Sequence, residues 1–258
     1  MRSLPVLYQD EQLVAVNKPS GLLVHRSAID RYETEIAMQI VRDQLGRWVY
    51  PLHRLDKSTS GALVFALDRE TARAMTRSFA DAMVFKRYLA VVRGFTGEGD
   101  RIDHPLQDRG KMTGQEKSGD APGRPSVTEY RRLATVELRE PVGRYATARY
   151  SLVAAAPLTG RTHQIRRHMK HIFHPVVGDT TYGDGKQNEF FRRKFNCRRL
   201  LLHASAIEFI HPGTGRRLSI HAPLDHTFDA LLQALQWDTV ARAWAEQGGT
   251  QLRGPLGL

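Results

Sequence analysis

The chain carries a single cysteine, Cys197, in 258 residues. One thiol excludes an internal disulfide and any zinc site built from several cysteines. No apolar run approaches the ~20 residues that a membrane-spanning helix needs. The longest candidates, such as residues 62–67, are strand-sized. The N-terminus reaches Asp10 and Glu11 without the ~7–15-residue apolar stretch of a secretion signal. Walker A, Gly-x-Gly-x-x-Gly and His-Glu-x-x-His patterns are missing, which leaves NTPase, dinucleotide and zinc-peptidase chemistry without support. A cytoplasmic protein with no membrane partner is expected. Acids are scarce too: 27 Asp+Glu stand against 38 Lys+Arg, a formal charge of +11.

What is present in excess is arginine, 30 of the 38 cations. A chain this basic faces a polyanion, most commonly nucleic acid. The flat guanidinium fork suits phosphates and stacked bases better than a lysine point charge. An excess set by solubility alone would be spread evenly. Instead, residues 157–202 hold ten Lys/Arg (Arg161, Arg166, Arg167, Lys170, Lys186, Arg192, Arg193, Lys194, Arg198, Arg199) and three acids (Asp179, Asp184, Glu189). A net +7 in under a fifth of the chain reads as a footprint.

Hydrophobic spacing predicts strands at residues 13–16 and 22–24 around the turn Asn17-Lys18-Pro19-Ser20-Gly21, and a helix at 34–44. A buried strand follows at 62–67, then a helix at 70–82 capped by Asp68. Further strands are expected at 88–92, 127–133, 147–153 and 200–209, with helices at 162–173 and 225–246. Residues 97–125 are rich in Gly, Asp, Lys and Pro and read as a surface loop or irregular hairpin. The order implies one α+β domain over residues 1–247, with a mixed, mainly antiparallel sheet flanked by helices. Residues 248–258 have nothing to bury and read as a flexible tail.

Two polar stretches could carry chemistry. His53-Arg54-Leu55-Asp56-Lys57-Ser58-Thr59-Ser60-Gly61 sits immediately before the buried strand, where a polar turn holds an acid at a sheet edge. Flanking Arg54 and Lys57 favour the ionised form of Asp56, which suits a nucleophile or base. The same residues also suit a plain turn cap. Residues 159–169 begin Thr-Gly-Arg-Thr-His-Gln, and Gly160 and Thr162 mark a helix start whose free N–H groups favour phosphate. Arg161, His163, Gln164 and Arg166, with Arg167 beside them, supply donors for RNA backbones and base edges, or else form a solvated basic face. His163, His168, His171 and His174 lack carboxylate or cysteine partners at ligand spacing, so no metal is expected. In Lys86-Arg87-Tyr88-Leu89-Ala90, Tyr88 suits base stacking or core packing.

Taken together, these stretches resemble the RluA-type pseudouridine synthase family. His53–Gly61 is similar to its His-Arg-Leu-Asp-x-x-Thr-Ser-Gly signature, and Asn17–Gly21 to its opening motif. Residues 86–94 are similar to its tyrosine strand, 159–168 to its third motif, and 174–179 and 200–204 to its closing ones. All six occur in the family's order, spread over most of the chain. The resemblance implies the pseudouridine-synthase fold, no cofactor, and isomerisation of an RNA uridine. It implies that Asp56 is the catalytic aspartate and that Tyr88 stacks on the target base and takes part in proton removal. Arg166 would pair with Asp56, Ile165 would form the adjacent apolar wall, and Arg54 would help displace the flipped base.

Residues 26–31, 143–145 and 166–169 are most similar to the C-type branch of the family, which acts on a T-stem uridine of tRNA, position 65. The partner is then tRNA, bound by a monomer whose catalytic domain supplies all recognition. A ribosomal RNA target for the same chemistry, or a catalytically silent RNA-binding protein, are the competing readings.

Overall fold

The computed structural model describes residues 3–25, 34–107 and 122–246. Its elements run β1 (Val6–Gln9), β2 (Leu13–Lys18), α1 (Ala37–Leu45), β3 (Tyr50–Pro51), β4 (Ser60–Ala66), α2 (Arg69–Ala80), β5 (Phe85–Arg93) and β6 (Gly99–Asp103). They continue with β7 (Val127–Leu138), β8 (Ala148–Pro157), α3 (Gln164–His171), α4 (Gly185–Phe195), β9 (Leu202–Ile210), β10 (Arg217–His221), α5 (His226–Ala234) and α6 (Asp238–Glu246). The strands form one sheet ordered β1-β2-β4-β9-β5-β8-β7-β6, with β10 on β9 and β3 on β4. Pairing is antiparallel except between β4 and β9, so the sheet is mixed and mainly antiparallel, as expected for this α+β chain.

Period-two alternation sends successive residues to opposite faces, and both faces are covered. Leu63, Phe65, Tyr88, Ala90, Val92 and Val153 pack under α1 and α3, through Val41, Ile165 and Met169. Opposite them, Leu89, Val91, Leu152 and Leu201 meet Phe191 of α4 and Phe228, Leu231 and Leu232 of α5. Ala62, Val64 and Ala66 join Met75 of α2 on that second face. Burial on both sides is why β4 reads as an unbroken apolar run. Asp68 caps α2 as expected, its carboxylate accepting from the Thr71 N–H.

Several expected boundaries move. Residues 22–24 make only a bridge, Leu23 to Ile36, and α1 begins after Ile36. The expected single C-terminal helix is two, broken where Gln236 takes φ +58° and the Trp237 N–H turns back to the Leu232 carbonyl. No Gly or Pro announces that break. β6 falls inside the expected loop, and α4 was not expected at all: it has few apolar residues, and its signals are the Asp184 cap and left-handed Asn196. β1, β3 and β10 are short peripheral strands that the hydrophobic pattern did not mark. Residues 26–33 and 248–258 lie outside the described residues, as does most of 97–125 beyond Gln107. Among the described residues, no helix is long and apolar enough to cross a membrane.

The parallel contact of β4 with β9 covers only two residue pairs, Ser60 with His203 and Gly61 with Ala204. Gly61 has φ +119°, and a Cβ there would run into the Ala204 backbone. Gly61→Ala therefore combines strain with a backbone clash, and should destabilise the protein by about 3 kcal/mol or more. A denaturant midpoint matching wild type would contradict this close approach.

His203 is fully buried, with Nδ1 at 2.7 Å from Ser60 Oγ and Nε2 at 3.1 Å from the Ala222 carbonyl. Burial, aided by Arg199, pushes its pKa down to about 4, although the Ala222 carbonyl favours the charged form. The unfolded imidazole takes up a proton near pH 6.5, whereas the folded one refuses it until about pH 4. Stability should consequently fall as pH drops from 6.5 towards 4. The melting temperature of His203→Gln should vary less steeply than wild type over that window; identical slopes would remove His203 as a cause.

Candidate active site

The turn before β4, the start of β5 and the segment from β8 into α3 enclose a cleft of about 630 Å3. Its lining includes Arg54, Asp56, Lys86, Tyr88, Arg161, His163, Gln164, Ile165 and Arg166. Nine residues were singled out in the sequence, and eight meet here. Arg167 does not line the cleft: its Nη1 donates to the Gln107 carbonyl at 3.0 Å on the outer side of α3.

Asp56 is held from two directions. The Thr59 N–H donates to the Asp56 carbonyl at 3.0 Å, closing the turn. Beneath it the opening motif acts as a clamp. Lys18, fully buried at the end of β2, donates its ammonium to the carbonyls of Pro19 (3.0 Å), Leu22 (2.7 Å) and Lys57 (3.2 Å). The Gly21 N–H also reaches the Lys57 carbonyl, and Ser20 Oγ donates to that of Ser58. Burial lowers the Lys18 pKa to about 7, with Asp56 pulling it up and Arg199 down.

From α3, Arg166 reaches across. Its Nη1 lies 3.2 Å from Asp56 Oδ2, while Nε and Nη2 form a fork onto Asp179 at 2.7 and 2.8 Å. The Asp179 side chain has no exposed surface, and it also accepts from the Thr181 and Tyr182 N–H groups. Burial opposes its charge, but Arg166 and those amides outweigh burial and hold its pKa below the usual carboxylate range. Arg166 is raised in turn: burial disfavours its charge, and the two carboxylates more than offset that. The Tyr182 ring lies 5.2 Å from the guanidinium, at cation–π distance.

His163 stands at the start of α3 with φ +55°, a strained conformation for a residue other than glycine. Its Nδ1 is 3.1 Å from the Tyr182 hydroxyl and its Nε2 3.9 Å from Asp56 Oδ1. The helix therefore begins at Gln164, not near Thr162, and has no side-chain cap. Gln164 uses its whole amide internally. It accepts from Thr159 Oγ1 and the Arg161 N–H, and donates to the Val127 carbonyl and Thr128 Oγ1. In this arrangement it shapes the cleft rim instead of presenting free donors.

Tyr88 enters from β5 just after a bulge against β9, a device that re-aims a side chain. Burial first, and the Asp56 charge second, push its phenol well above 10, so the ring is neutral at physiological pH. Ile165 and Leu55 form apolar wall, whereas Arg54 is exposed at the mouth. Lys86 donates to the Thr159 carbonyl at 3.3 Å, and burial lowers its pKa to about 8. His53 accepts the Val64 N–H on Nε2, and burial, then Lys86, brings its pKa down to about 3. No roles were read in the sequence for Lys18, His53, Lys86, Asp179 or Tyr182. The first four lie within stretches singled out there, but only the fold shows what each touches.

The ten-cation cluster separates in space. Arg166 and Arg199 are internal, the latter paired with Asp225 and packed on Phe228. Lys170, Lys186, Arg192, Arg193, Lys194 and Arg198 remain exposed.

Comparison with known proteins decides the family. Residues 12–171 match the RNA pseudouridylate synthase family model. The chain belongs to the RNA pseudouridylate synthase family. It is 49% identical over 235 residues to tRNA pseudouridine synthase C of Vibrio cholerae, covering 91% of this chain and 96% of that one. Against the protein of the same name from Haemophilus influenzae, identity is 48% over 238 residues, 92% of this chain and all of the relative. Among solved structures, human RNA pseudouridylate synthase domain containing 1 is 30% identical, with a TM-score of 0.64 over 91% of this chain and 95% of its own. The pseudouridine-synthase fold expected from the motifs is thus the fold observed.

For a pseudouridine synthase built this way, Asp179 is the buried anchor of Arg166. Asp179→Asn leaves the guanidinium short of one charge partner, and removing one member of a buried pair costs about 3–5 kcal/mol. We expect a lowered denaturant midpoint and a loss of activity that persists at temperatures where the variant is folded. Wild-type stability in Asp179→Asn would show that the fork does not anchor α3.

Proposed function

We propose that this pseudouridine synthase acts on tRNA, isomerising a T-stem uridine at position 65, with Asp56, Tyr88 and Arg166 as its catalytic residues. The observation that carries the catalytic reading is the Asp56 carboxylate, 23% exposed at the cleft floor and oriented by the Arg166 guanidinium at 3.2 Å. The tRNA reading is supported by relatives named tRNA pseudouridine synthase C at 48–49% identity over nearly their whole lengths.

The reaction breaks the N1–C1′ bond, turns the uracil, rejoins it through C5 and then releases the C5 proton. It transfers neither electrons nor phosphate, so the protein's own groups suffice. A paired uridine is first drawn out of its helix, at a cost of a few kcal/mol in stacking and pairing. Arg54, exposed at the mouth, suits the space the base leaves, and Tyr88 offers the ring that receives it. Asp56 then attacks the nucleotide or removes a sugar proton to form a glycal. Either step begins from the same oriented carboxylate. In either route the electron pair of the broken N1–C1′ bond stays on the uracil, whose N1 takes up a proton as C5 gives one up, and Tyr88, kept neutral first by burial and then by the Asp56 charge, lies within the same cleft. Arg161, His163, Ile165 and Arg167 complete the proposed RNA-facing set.

The test is tritium release from 5-tritiated uridine in folded tRNA and in ribosomal RNA transcripts, with product mapping. Wild type should release tritium from tRNA at a single T-stem site. Asp56→Asn should lower release by at least about 1,000-fold while still binding the tRNA. Release from ribosomal RNA alone overturns the tRNA assignment, and a turnover-competent Asp56→Asn overturns the catalytic one.

A further inference from the structure

Beyond the cleft, α3 ends in an unusual way. The His174 N–H donates to the Met169 carbonyl at 2.8 Å and the Phe173 N–H to that of Lys170 at 3.0 Å. This bond pair is a Schellman end, which needs one residue in the left-handed region, usually glycine. Here that residue is Phe173, at φ +65°. A side chain in this conformation costs roughly 1–2 kcal/mol, and burial of the ring could offset that. It does not: 88% of Phe173 is exposed, the highest value among the exposed large hydrophobic residues described. The fold thus bears backbone strain to hold a phenyl ring in solvent.

The surroundings hold a cation and no acid. Lys170 and His171, both exposed, form the last turn of α3, and the His171 ring stacks on His104 at 3.7 Å. Residues 161–175 contain no acid. Phe173 lies seven residues beyond Arg166 in the chain, about 10 Å at 1.5 Å per helical residue, or roughly three stacked nucleotides at 3.4 Å each.

We infer that Phe173 is a stacking platform for a nucleobase a few nucleotides from the target uridine, with Lys170 and His171 meeting the adjoining phosphates. An aromatic ring beside a lysine and other hydrogen-bond donors is the arrangement that binds exposed bases without reading their sequence. The inference rests on the RNA substrate proposed above and adds a second contact point outside the cleft.

Phe173→Gly, Phe173→Leu and Phe173→Trp separate the alternatives, using a folded tRNA transcript as the probe. The glycine variant should melt at or above the wild-type temperature, since the strain is relieved, yet bind tRNA about ten-fold more weakly. Its kcat at saturating tRNA should stay within about two-fold of wild type, so the loss appears in KM. Leucine keeps the apolar bulk but should bind as weakly as glycine, whereas tryptophan should bind at least as tightly as phenylalanine. Wild-type affinity in both Phe173→Gly and Phe173→Leu overturns the platform, as does a melting temperature lowered by several degrees in Phe173→Gly. Gel filtration showing a wild-type dimer that Phe173→Gly dissociates overturns it in favour of self-association. A wild-type protein that turns over no RNA overturns the underlying reading instead, an outcome distinct from these.

Discussion

The Arg166 guanidinium, shared between a fully buried carboxylate and a partly exposed one, is the constraint on which the site depends. Asp179 takes the fork of Nε and Nη2, which fixes the plane of the guanidinium and leaves Nη1 aimed at Asp56. Removing three charges from water is expensive, and the arrangement survives because each is paired and most remaining hydrogen-bonding positions are filled. The same fork ties the start of α3 to the segment after Gly178, and His163 stands at a positive φ directly before that helix. Relaxing His163 would shift the first turn of α3 and with it Arg166.

A second buried charge supports the first. Lys18 gathers three backbone carbonyls and so joins the opening motif to the turn that carries Asp56, 38 residues away. An ammonium buried without a direct carboxylate partner is costly, and its depressed pKa reflects that cost. The placement of Asp56 thus comes from two interlocking loops resting on paired strands: β2 next to β4, β4 next to β9, β9 next to β5. Motifs that are far apart in the chain converge because their strands are neighbours in the sheet. The tight Gly61–Ala204 approach is the point where that adjacency leaves no room for a side chain.

The basic composition also resolves into distinct tasks. Arg166 and Arg199 are internal, whereas Lys170 of α3 and Lys186, Arg192, Arg193 and Lys194 of α4 face solvent, Arg192 beside Glu189 and Lys194 beside Glu140. Net charge alone makes no such distinction, since a guanidinium counts the same whether it pairs with a buried carboxylate or faces solvent.

Much of this protein was legible in one dimension. Strand and helix periodicity, the Asp68 cap and the polar run ending in Gly61 are local properties, because hydrophobic spacing and capping act over a few residues. The order of the short motifs was enough to suggest the family and to pick out Asp56, Tyr88, Arg166 and five further residues that line the cleft. Other features required the tertiary structure. Gln164 looked like a free donor until its amide was seen saturated by residues 127, 128, 159 and 161, the first two of them over thirty positions away. The break at Gln236 carries no Gly or Pro to mark it, and α4 has only its caps and few apolar residues, so packing against the sheet determines them. Asp179 and Lys18 are ordinary charged letters in the chain. Their roles arise only when the fold brings separate segments within hydrogen-bonding distance and removes the water that would otherwise screen them, and screening by water is a property of the folded surroundings that no local pattern encodes.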